Sequence, residues 1–316
     1  GQILVNGKPL GTESKKIISR ITGKTPYVLC YPSGKYNKQT MTCGSAVVEV
    51  ANQPLSADAI YDILVKAAKE NGSNIYAIDG KFNSEKLNLK MARMPKVALL
   101  VGEGFKGDVC GELWMLLEKH YGIAPLRITA NDINKKMLAK YNVMVIPHGT
   151  LPKKHKATAA IRQWVENGGT IVTTGIGYTM TSRLGMSPIK RIAPPTEKGD
   201  KEQIAGAILN ATIDLTSPVA YGYTTTELPL FRKGPQVYDE AAMKGVIIPV
   251  RYTDKPHLSG YVSDNNIGRI ASTPTVMVVK HGEGELIHFA DNPIFRSYWF
   301  GGAKMFMNAV YFGHLY

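Results

Sequence analysis

Several short stretches of this chain have the residue types and spacing to do chemistry. The segment from Gly102 to Gly111 reads GEGFKGDVCG, with Gly102, Gly104 and Gly107 at the spacing of a phosphate-binding turn and Cys110 just behind them. Such glycines let a pyrophosphate approach a helix N-terminus. Glu103 and Asp108 oppose that use, because carboxylates beside the loop repel a phosphate, so a tight turn between strand and helix is the better reading. Cys110 at the start of a helix is a candidate nucleophile, since the helix dipole lowers a thiol pKa; His148 as base and Glu112 as carboxylate would complete a constellation for acyl transfer. The alternative for Cys110 is a buried helix residue, and for His148 a structural, hydrogen-bonded histidine.

A second candidate is the turn Gly175-Ile176-Gly177. It has the glycines of a sharp nucleophile elbow but Ile176 where a thiol or hydroxyl is wanted, so it is a degenerate elbow without an attacking atom. The seven histidines form no close ligand pair. If Leu286 to Ala290 is a strand, His288 and Asp291 point to opposite faces, and neither a metal site nor a cofactor is expected. Near the C-terminus, Asp291, Asn292, Arg296, Tyr298 and Trp299 make a dense polar and aromatic cluster. It reads either as a pocket or interface, where Arg and Trp are favoured anchors, or as a turn begun by Asn292-Pro293 with Phe295 and Trp299 packed inward.

The elements that must position these residues follow from periodicity. From Lys96 onward, apolar runs alternate with amphipathic stretches: strands at Val97 to Val101, Leu126 to Thr129, Val143 to Ile146 and Thr170 to Thr174, helices at Asn131 to Lys140 and Ala157 to Glu166, and a helix capped by Asp108. That rhythm predicts an α/β, flavodoxin-like, three-layer core over 96–180. A Pro-rich insertion follows at about 181–210, holding Pro188, Pro194 and Pro195. A β-rich part covers 211–316, with strands at Val246 to Val250, Thr275 to Val279 and Leu286 to Ala290 and a closing helix around Lys304 to Tyr311. Residues 1–95 read as a small α/β unit: strands at Tyr27 to Cys30, Ala46 to Val50 and Ile75 to Ile78, a helix over Ser56 to Asn71, and a polar linker from Lys81 to Met94.

With 316 residues, 44% hydrophobic, the chain can fill more than one core, which excludes a disordered protein or a small disulfide scaffold. Cys30, Cys43 and Cys110 are odd in number and lack metal-ligand spacing; a Cys30–Cys43 bridge is left open. The net charge is +13, yet the basic residues are scattered, the densest groups being Lys135-Lys136 and Lys153-Lys154-His155-Lys156. Nucleic acid is therefore not an expected partner, and no apolar run is long enough for a membrane span.

Several strings, in order, carry a resemblance: KVALLVGEGF with GELWMLLEKHYGI (Lys96 to Ile123), YNVMVIPHG, WVENGGTIVTTG, SPVAYGYTTTELPLF (Ser217 to Phe231), LSGYVSDNNI (Leu258 to Ile267) and GEGELIHFADNPIFRSYWFGGAKMFMNAVYFG (Gly282 to Gly313). From about Cys43 onward they resemble the C-terminal region of bacterial secreted zinc carboxypeptidases of the carboxypeptidase A-like superfamily. That region is similar to class I glutamine amidotransferases. The family's zinc lies in an N-terminal peptidase domain to which no position here corresponds. The resemblance thus implies a non-catalytic accessory module, secreted or periplasmic although no signal peptide is seen, whose partner is a carboxypeptidase domain or a peptide or glycan ligand. The alternative is a small cysteine-dependent hydrolase or amidotransferase using Cys110 and His148.

Overall fold

A computed structural model describes residues 89–151, 155–192 and 204–316, together with 27–29, 34–36, 39–41, 43–48, 50, 53–71 and 75. Cys30, whose bridge to Cys43 the sequence leaves open, the pair Lys153-Lys154, Pro194, Pro195 and most of the strand expected at 75–78 lie outside these residues.

Val97–Leu100 (β6) and Val143–Ile146 (β8) are buried at every position, as strands covered on both faces must be. They pair in parallel with each other; β6 also pairs with Leu126–Ile128 (β7), and β8 with Thr170–Thr174 (β9). Gly284–Phe289 (β16) joins β9, again in parallel, with Phe289 beside Thr174. Taken in chain order, these five strands lie 2-1-3-4-5, which is the flavodoxin-like doubly wound arrangement. The strand ends fall within a residue or two of the expected positions.

Alternate residues divide the core. Val97, Leu99, Val145, Val172, Ile287 and Phe289 face one layer, filled by Val109 and Leu113 of Gly107–Met115 (α2) and Phe306 of Phe300–Phe312 (α7). Ala98, Leu100, Met144, Ile146, Ile171 and Leu286 face the other, filled by Ile161 and Val165 of Thr158–Glu166 (α4) and Met180 of Tyr178–Arg183 (α5). The result is three layers.

In the β-rich C-terminal part, Ala207–Ile213 (β11), Glu227–Arg232 (β12), Ile247–Gly260 (β14) and Pro274–His281 (β15) continue the same sheet in antiparallel fashion, giving nine strands in the order β12-β11-β14-β15-β16-β9-β8-β6-β7. Three expectations change. The insertion expected to reach about 210 therefore overlaps β11. Helix α2 has Lys106, not Asp108, at its N-cap, and the Asp108 carboxylate instead accepts from the neighbouring Val109 N–H at 2.9 Å. The helix expected over 131–140 shrinks to Lys135–Leu138 (α3), capped by Asn134, because Ala130–Asp132 turns tightly on a Thr129–Asp132 capping box.

The segment expected as a linker contains Leu89–Met91 (β5), paired with Tyr27–Leu29 (β1), which also pairs with Ala46–Val47 (β4). Ala57–Asn71 (α1) forms as expected, with Ile60 fully buried. This N-terminal unit rests on the end of the main domain: Lys90 donates to the Leu315 carbonyl at 2.6 Å, and the Met91 carbonyl faces His314 at 3.1 Å.

Candidate functional site

The carboxyl ends of the parallel strands are where open α/β sheets bind ligands, especially at the point where strand order reverses, here between β6 and β8. In this protein the two loops at that point are zipped together. Phe105 and Gly149 form a bridge, Lys106 N–H donates to the His148 carbonyl at 3.0 Å, and Thr150 N–H donates to the Gly104 carbonyl at 3.0 Å. The approach requires glycine: a Cβ on Gly149 would lie 2.3 Å from the Gly104 oxygen, and one on Gly104 would lie 2.4 Å from the Thr150 oxygen. With these backbone groups already paired, the GEGFKG segment is a tight turn.

Cys110 is buried, its thiol 3.8 Å from the Leu100 carbonyl oxygen. Burial first, and the Asp108 carboxylate second, push its pKa up, opposite to what an activated nucleophile needs. The pKa of the half-buried His148 is lowered, chiefly by burial and then by Lys106. Glu112 turns away from both. Its carboxylate accepts from the Asn292 amide and, at 2.8 Å, from the Arg296 backbone N–H. Among the described residues, no hydrogen bond links Cys110, His148 and Glu112 to one another.

The elbow differs from expectation in register. The residue in left-handed conformation is Gly175, at φ +57°, and not Ile176. A Cβ there would lie 2.2 Å from His148 Nδ1, so the imidazole fills the space into which an elbow side chain would project. Behind the turn, buried His288 bridges Thr173 Oγ1 at 2.7 Å and the Tyr238 hydroxyl at 2.9 Å. Desolvation lowers its pKa to about 3, so the ring is neutral. His288 packs against Tyr178 and Tyr238 of one layer while Asp291 bonds to Tyr252 of the other, as their spacing requires.

The cluster after β16 is brought together in two tiers. The lower tier is buried: the Arg232 guanidinium donates to Asp291 Oδ2 at 3.1 Å, to the Gly234 carbonyl at 2.9 Å and to the Gln236 carbonyl, while the Tyr252 hydroxyl donates to the same Asp291 oxygen at 2.6 Å. Burial opposes the Arg232 charge, but Asp291 and then Tyr252 outweigh it and hold its pKa above the ordinary value. Asp291 Oδ1 has no partner.

The upper tier is the turn itself. Asn292 Oδ1 accepts from Ile294 N–H at 3.2 Å, the turn-initiating role expected of Asn292-Pro293. Arg296 and Ser297 then sit at φ +52° and +57°, a conformation costing roughly 1–2 kcal/mol for each residue that carries a Cβ. Phe295 does not enter the core at helical spacing with Trp299; it stacks on Phe231 at 4.0 Å. Tyr298 is 52% and Phe300 66% exposed, and the buried Trp299 indole N–H has no partner.

Sequence reasoning missed Arg232, Tyr252, Phe231, Lys233 and Phe300. A single arginine ending an apolar strand is ordinarily solvated, so nothing local marks Arg232 as the partner of Asp291 across 59 residues.

Among the described residues, no group of three or more His, Cys, Asp and Glu could hold a metal ion, and no helix is long and apolar enough to cross a membrane.

Strand order and turn geometry together define a flavodoxin-like α/β protein whose elbow position lacks a side chain. No protein-family model matches the chain, and no curated protein matches it. Among solved structures it is similar to a ThuA-like protein from Bacteroides uniformis (12% identity, TM-score 0.47, 70% of this chain and 92% of that one). It is similar also to PurLQS from Thermotoga maritima (14%, 0.47, 68% and 96%) and to a ThuA-like protein from Parabacteroides merdae (13%, 0.47, 67% and 89%). The fold class stands on the strand order itself.

Proposed function

We propose that this chain is a non-catalytic, amidotransferase-like accessory module that binds a partner through the turn following β16. The observation that carries this reading is the elbow: its left-handed residue is Gly175, and His148 fills the space a nucleophile would need. The rest of the reading follows the sequence resemblance alone. It makes the parent an exported zinc carboxypeptidase-like protein, secreted or periplasmic, and the partner a peptidase domain, a peptide or a glycan. The exposed aromatics and Arg296 beside Asp291 and Asn292 support binding, because Tyr and Arg are frequent interface anchors.

The test is an assay of the purified chain for glutaminase, amidase and zinc-dependent carboxypeptidase turnover, beside a Cys110→Ala variant. No turnover above buffer is expected in either protein. Turnover abolished by Cys110→Ala would establish the cysteine-dependent enzyme instead, and zinc-dependent peptidase activity would remove the accessory-module reading altogether.

A further inference from the structure

The turn after β16 gathers two cations on one aromatic ring. Phe295 lies flat on buried Phe231, the rings 11° from parallel. The Arg296 guanidinium is 5.3 Å and the Lys233 ammonium 5.5 Å from the centroid of the Phe295 ring. Tyr298 meets Phe295 edge-on at 6.0 Å, and Trp299 meets Tyr298 at 6.4 Å, so the aromatic surface continues past the cations. Among the described residues, neither Lys233 nor Arg296 forms an ion pair with a carboxylate. Glu112, which lies against the turn, directs its oxygens to the Asn292 amide and the Arg296 backbone. Both cationic residues are exposed, and Arg296 is held in its left-handed conformation by that same backbone bond.

Two like charges on one ring repel each other, and a carboxylate placed between them would be attracted to both. Tyr298, edge-on to the same Phe295 ring, is exposed, and Phe300, two residues on and edge-on to His120 at 6.1 Å, is exposed too; aromatic side chains of this kind are found at the centres of protein interfaces. A pair of cations without a longer basic run is too little for a nucleic acid or an anionic bilayer, each of which needs many contacts. We infer that this turn docks an acidic segment of a partner protein, with a carboxylate between Lys233 and Arg296 and a neighbouring apolar side chain against Tyr298 and Phe300. The inference rests on the accessory-module reading and names the chemistry of its partner.

The experiment is fluorescence anisotropy of the intact chain with a labelled peptide of about ten residues in which Glu and Phe alternate. A peptide with Gln for Glu and an oligogalacturonate serve as competing probes. The acidic peptide is expected to bind, to lose affinity about tenfold or more with the double variant Lys233→Gln/Arg296→Gln, and to weaken with added salt. Arg296→Lys should restore part of the loss. Both residues are exposed, so an unchanged melting midpoint will show that the double variant folds. Equal binding of the Gln peptide, or no binding of either peptide, overturns the inference. If the Gln peptide binds equally and Tyr298→Ala/Phe300→Ala abolishes it, the acidic specificity fails while the module reading stands. Tighter binding of the oligogalacturonate makes the ligand a glycan, and turnover of the peptide sinks the module reading itself.

Discussion

The loops at the β6/β8 crossover and the turn after β16 lie on the same edge of one sheet, yet they spend their polar groups differently. At the crossover, backbone N–H and C=O groups of residues 104–106 and 148–150 satisfy one another, and glycines let them meet. At the turn, the backbone is anchored by a carboxylate, two residues are strained, and aromatic and cationic side chains project outward. A fold-level rule points to the crossover as the ligand site; the exposed cationic and aromatic side chains lie one strand beyond the elbow. The difference teaches that a doubly wound sheet specifies an edge, while local backbone pairing decides which part of that edge is open.

The comparison breaks most readily at Asp291. Asp291→Ala leaves the Arg232 guanidinium buried without its carboxylate and should cost about 3–5 kcal/mol in denaturant unfolding. A loss near zero would mean that the turn does not depend on the tier beneath it. On the closed side, Gly175→Val forces a β-branched residue into left-handed backbone and against His148; about 2–4 kcal/mol should be lost. Unchanged stability there would show that the space behind the elbow is adaptable.

Titration separates the two ends of β16. The pKa of His288 is lowered from 6.5 to about 3, so its contribution is complete above pH 6.5 and is lost as pH falls toward 3. The pKa of Glu285 is raised from 4.5 to about 7, chiefly by burial, so its contribution is complete below pH 4.5 and is lost as pH rises through 7. Between pH 4.5 and 6.5 the two slopes oppose each other, each about 1.4 kcal/mol per pH unit. Glu285→Gln should therefore make stability fall with acidification from pH 6.5, while His288→Gln should make it rise. Parallel pH profiles for the two variants would show that neither group is shielded as its surroundings imply. The smallest expected effect is at Ser297, where Ser297→Gly relieves the left-handed strain and should raise stability by about 0.5–1 kcal/mol. A decrease would mean that the turn's conformation is not strained.

Much of the parallel half was legible because buried strands and amphipathic helices are local patterns. Val143–Ile146 and Thr170–Thr174 need nothing beyond their own apolar runs, and helix α4 ends at Glu166 because Asn167-Gly168-Gly169 follows it, Gly168 having φ +95°. The residues of the polar cluster were legible by type. Their partners were not: Glu112 reads as a candidate catalytic carboxylate until helix α2 is packed beside the turn, and Ile176 reads as the elbow residue until Gly175, directly after the strand, takes the left-handed conformation.

The sequence by itself thus determined the alternation of strands and helices, the absence of a thiol or hydroxyl at the elbow, and the presence of a polar, aromatic string near the C-terminus. Each depends only on residue type and near-neighbour spacing. The tertiary structure alone decided that the antiparallel strands extend the parallel sheet, that Arg232 neutralises Asp291, that His148 fills the elbow, and that Lys233 joins Arg296 on one ring. Those are contacts between residues far apart in the chain, and their energies depend on burial and direction, which periodicity does not encode.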